Sequence, residues 1–216
     1  MENYYRTILF VVTGLLFTSF LGFYHTYFGL FPGFDETSRA VHFHVATILC
    51  WFAMLLAQAS LAIKGRIELH RKIGRLSYLL APLIVLGFAL VTNHGQLKHK
   101  SPDLLGATLF DGSMFLLFYI LAIINRKNTD YHAPYMILSA LPFINPGLGR
   151  LIAPEVSLPV EFLLILSFLL VARYKKKPYR PYLVGLGSMV LLLGIILYIS
   201  LIDPAIIESM WMTIWG

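Results

Sequence analysis

Apolar residues fall into seven long runs, at 7–28, 40–63, 73–92, 104–124, 134–152, 158–172 and 182–202, separated by short polar segments. A helix needs about 20 mostly apolar residues to cross a lipid bilayer. The connecting segments are about 5 to 15 residues long, which makes sequential helices antiparallel neighbours. The pattern predicts an all-α fold, an integral membrane bundle of seven transmembrane helices forming a single membrane domain over 1–216. Within it, the helices of 40–152 are expected to form the functional core, with those at 7–28, 158–172 and 182–202 packed around them. No internal repeat or low-complexity segment is visible.

Polar positions inside the runs carry the chemistry. In the second run His44, Trp51 and Gln58 stand seven apart, so each step turns only about 20° on a helix and the three form one stripe facing the bundle interior. His42 points nearly the opposite way on a helix, so it joins His44 in one site only if the helix starts after both. Asp111 in the fourth run lies on the order of 10 Å below the outer surface, a depth at which an acid is paired, neutral or functional. The fifth run contains Pro142, Asn145, Pro146, Gly147 and Gly149, so its helix is expected to break; such backbone is tolerated only against protein or a wet cavity. Arg150 follows the break and is the expected partner of Asp111, with His44 and His94 as alternatives. Glu161, His94 and His99 belong to the same end.

Two polar segments lie at the opposite end. One, R-I-E-L-H-R-K-I-G-R-L-S-Y at 66–78, holds His70; the other, N-R-K-N-T-D-Y-H-A-P-Y-M at 125–136, holds His132. Each histidine marks the start of a helix, the third and the fifth, so the pair is expected to share a ligand.

Composition strengthens the membrane reading: 58% of the 216 residues are hydrophobic and 13% charged, with a mean hydropathy of +0.74. The net charge of +6 does not indicate nucleic acid, because the basic residues gather at helix ends, where charge sets orientation. Arg6, Lys64, Arg66, Arg71, Lys72, Arg75, Arg126, Lys127, Arg173, Lys175, Lys176, Lys177 and Arg180 fall on one side, thirteen of the seventeen Lys and Arg; Arg39, Lys98, Lys100 and Arg150 fall on the other. The expected topology in the inner (cytoplasmic) membrane has the N-terminus cytoplasmic and the C-terminus outside. The first span is expected to be retained, and the tail at 203–216, with Trp211 and Trp215, to lie at the outer interface. The single cysteine, Cys50, excludes an internal disulfide.

Three functions fit these residues. In one, His70 and His132 hold a b-type haem for electron transfer, with His44 as a further cofactor-binding residue near the outer face, where a quinone would complete the path. In the second, His44, His94 and Asp111 bind a zinc-like ion, with Asp111 the catalytic group of a hydrolase acting on a lipid substrate. In the third, the histidines are interfacial and Asp111 with Arg150 is a structural ion pair, or part of a proton-coupled transporter. The partners expected are the lipid bilayer and a quinone or lipid substrate, with a homo-oligomer left open. No lysine in the seventh run is available to hold retinal, which excludes a microbial rhodopsin.

His44 with Gln58, G-R-I-E-L-H-R-K-I-G-R-L-S-Y at 65–78, and Y-H-A-P-Y-M at 131–136 followed by Arg150 together resemble a family of bacterial multi-pass membrane proteins of unknown function. That family is marked by an H-R-x-x-G-R-x-Y segment and a later H-x-x-x-M ahead of an arginine. The resemblance covers about 40–152 and implies that His44, His70, His132 and Arg150 matter, without implying an activity. The same residues are more weakly similar to the two-haem, ascorbate-reducible cytochromes b, which place haem histidines on four consecutive helices. Here the fourth helix offers Asp111 instead, so the likeness does not extend to a second haem.

Overall fold

The computed structural model describes residues 2–34, 37–99 and 102–202, together with 206, 209, 212 and 213, except the side chains of 2, 3, 95–99, 102–104 and 200. Trp211, Trp215 and Lys100 lie outside the described residues, as do the side chains of Lys98 and His99. The described chain is all-α: α1 (Glu2–Gly22), α2 (Arg39–Ile63), α3 (Ile67–Gly74), α4 (Ser77–His99), α5 (Pro102–Ile124), α6 (Thr129–Leu138), α7 (Asn145–Leu151), α8 (Pro154–Tyr174) and α9 (Arg180–Ile202). Short 3-10 turns cover Phe28–Leu30 and Leu141–Ile144. Six helices, α1, α2, the α3–α4 unit, α5, α8 and α9, are long and apolar enough to cross a membrane.

The fifth predicted run is the exception in form. It becomes α6, the 3-10 turn Leu141–Ile144 and α7, because Pro142 and Pro146 donate no backbone N–H and each clashes with the turn before it. The interrupted segment still runs from one end of the bundle to the other. It starts beside the last turn of α5, where His132 bonds the Ala122 carbonyl, and ends beside the last turn of α1.

Helix ends follow local chemistry. Ser38 caps α2 by accepting the Val41 N–H at 3.3 Å. At its other end Gly65, at φ 66°, takes the left-handed conformation, and the Arg66 N–H reaches back to the Leu61 carbonyl at 2.9 Å, so two freed carbonyls are satisfied in a Schellman turn. The chain thus reverses in three residues and returns as α3, packed on α2. Two expected boundaries move. The third predicted run, 73–92, is extended as α4 to His99, so His94 is helical. The first, 7–28, ends as α1 at Gly22.

α2 packs on α1 and α4, α5 on α4 and α6, α7 on α1 and α8, and α9 on α8. The closest approach joins α1 to the interrupted segment: a Cβ on Gly22 would overlap the Gly147 backbone, and Ser19 Oγ donates to the Phe143 carbonyl at 3.4 Å. Small residues permit such crossings. Mid-bundle, Trp51, Phe52, Phe115 and Phe143 are buried and form an aromatic layer between the two ends.

Candidate functional site

At the basic end, α2, α3, α5 and α6 converge with α1 and the start of α4 around a cavity of about 790 Å³. Its apolar floor includes Ile8, Val12, Met54, Leu55, Met136 and Ile137; Gln58, His70 and His132 line its wall, and Arg71, Arg75, Arg126 and Lys127 its rim. His70 and His132, expected to share a ligand, both line this one cavity.

The two imidazoles are bonded alike. His70 Nδ1 lies 3.2 Å from the Gln58 carbonyl oxygen, and His132 Nδ1 lies 2.8 Å from that of Ala122. A carbonyl oxygen only accepts, so each Nδ1 carries the proton and each Nε2 keeps its lone pair in the neutral ring. Fixing the tautomer through Nδ1 is how proteins present an imidazole to a metal.

The predicted stripe on α2 does face inward. Trp51 is fully buried, and His44 Nδ1, Trp51 Nε1 and Gln58 Nε2 are buried atoms without a hydrogen-bond partner. His44 sits tightly against α4: a Cβ on Gly87 would come within 3.1 Å of its Nδ1, and its ring lies 4.9 Å from that of Phe88. His42 is separate. It shares a 2.8 Å hydrogen bond with the Tyr27 hydroxyl, because α2 begins at Arg39 and therefore turns the two histidines apart.

At the opposite end Asp111 is buried, as expected of an acid at that depth, but its partner differs from the expectation. Asn145 Nδ2 donates to Asp111 Oδ1 at 2.8 Å and to Glu161 Oε2 at 2.7 Å. Arg150 instead donates to the Pro146 carbonyl at 2.8 Å and lies 4.6 Å over the Phe23 ring. The reason is geometric: Arg150 occupies the last turn of α7 and Asn145 the first, so the helix that aims one at Asp111 carries the other outward. Asn145 had signalled only a helix break in the sequence. Its two partners are 34 and 16 residues away, and no local pattern encodes them.

His94 is half-buried on α4. Among the described residues no group of three or more His, Cys, Asp or Glu side chains that could hold a metal ion is found. Set against models of known protein families, curated proteins and solved structures, the chain matches none.

Proposed function

We propose that the protein is a seven-span integral membrane protein of the inner membrane that transfers electrons through a b-type haem held by His70 and His132. The observation that carries this reading is the shared cavity, lined by two imidazoles on alternate spans that each have Nδ1 tied to a helix carbonyl. Bound there, the haem would supply a one-electron redox couple. The chain's own residues fit it: the apolar floor suits a macrocycle, the volume lies in the usual range for ligand pockets, and the basic rim suits its carboxylates.

The membrane reading is supported by large apolar side chains facing outward, with Phe10 76%, Leu79 66% and Leu191 63% exposed; lipid is the solvent that favours such a surface. The thirteen basic residues collected at the cavity end support a cytoplasmic N-terminus. Transfer toward a quinone at the outer face is supported by a chain of ring contacts from His44 to Phe88 (4.9 Å), Phe143 (6.0 Å), Phe115 (5.3 Å) and Trp51 (5.1 Å). From there Tyr119, 5.5 Å from Trp51, hydrogen-bonds Ser77 on the cavity wall at 3.1 Å.

The test is haem content in purified full-length protein. His70→Ala and His132→Ala are each expected to lose the haem, with His42→Ala retaining it, and added imidazole restores binding to His132→Ala. Equal haem in all four proteins, or none in the wild type, overturns the assignment. A proton-coupled transporter is the second reading, favoured by the interrupted α6–α7 segment with a buried acid pair at its break.

A further inference from the structure

The acid pair at the far end from the cavity serves neither imidazole, and its bonding is short of donors. Asp111 comes from α5, Asn145 from the first turn of α7 and Glu161 from α8. They are 5%, 6% and 0% exposed. Both hydrogens of the Asn145 amide are used, one on each acid, yet Glu161 Oε1 and Asn145 Oδ1 remain buried with no partner. Ionised carboxylates only accept, so a doubly ionised cluster offers two N–H hydrogens to a surplus of buried oxygens. Two like charges in an apolar interior also repel strongly. Among the described residues no Lys, Arg or His makes a hydrogen bond or ion pair with either acid. Arg150 on α7 is bonded to the Pro146 carbonyl, and His44 on α2 lies against Phe88 of α4.

We infer that Asp111, Asn145 and Glu161 form a proton-binding site in which the two carboxyl groups hold one proton between them at neutral pH. A proton converts one acceptor into a donor and halves the buried charge. Asn145 is the positioning residue: its amide grips both acids, and the proline-broken backbone places it there. This inference rests on the acid cluster and stands whether or not haem occupies the cavity.

The experiment uses the full chain in detergent, wild type against Asp111→Asn, Glu161→Gln and the double variant, read by infrared spectroscopy in the protonated-carboxyl region and by thermal unfolding against pH. The wild type is expected to show a protonated-carboxyl band at neutral pH that is lost or shifted in either single variant. The native state then binds a proton that the unfolded chain releases at neutral pH, so stability falls as pH rises through the site's titration. The double variant, whose amides mimic neutral acids, is expected to fold and to lose that alkaline decline. Absence of the band in wild type, a band unchanged in both single variants, or a double variant that fails to fold overturns the inference. So does a wild type stabilised by sodium or potassium in place of protons, which would mark a metal-cation site.

Discussion

The His42–Tyr27 hydrogen bond separates a structural histidine from the ligating candidates at the scale of single residues. A neutral bond of this kind contributes about 1 kcal/mol; Tyr27→Phe and His42→Phe should each lower stability by about that amount, and the double variant by little more. Thermal unfolding of the four proteins checks this, and additive losses would show that the bond contributes nothing. At this scale the sequence is partly legible. The seven-residue spacing of His44, Trp51 and Gln58 is a local property and predicts their common inward face, which burial bears out. The partner of Asp111 is not legible, since topology says which end a side chain occupies but not which way a broken helix turns it.

Between elements, the decisive contact is α1 against α7. Gly22→Ala places a Cβ inside the Gly147 backbone, so the helices must part at a cost of about 1–3 kcal/mol. Gly14, with nothing within 4 Å of an added Cβ, gives the contrast: Gly14→Ala should be neutral or stabilise by up to about 1 kcal/mol through helix propensity. Melting temperatures of the two variants test the pair, and equal losses would contradict the close crossing. The spans themselves were readable because twenty apolar residues in a row have few alternatives. The extent of α4 was not, because Asn93, His94 and Gln96 are polar without being helix breakers. The cations Arg75, Arg126 and Lys127 were legible as an orientation signal; that they also rim the cavity depends on how α3, α5 and α6 converge.

For the whole molecule, the two ends differ in charge and chemistry: a basic cavity lined by two imidazoles at one, a buried acid cluster at the other, and an aromatic layer between. The proposed topology predicts that a reporter fused after Gly216 is exported while one inserted among Lys175, Lys176 and Lys177 stays cytoplasmic. Both reporters on one side would mean that α9 does not cross; an exported reporter at 175–177 with a cytoplasmic one after Gly216 would mean an even number of crossings and would remove the interrupted segment from the count.

The measurement closest to the central claim is the reduced-minus-oxidised absorption spectrum of the purified full chain, compared with His70→Ala and His132→Ala. The account predicts the sharp visible bands of a b-type haem with two imidazole ligands in the wild type, and their loss from each variant. A wild-type spectrum without haem bands, or bands that persist unchanged in both variants, would contradict it.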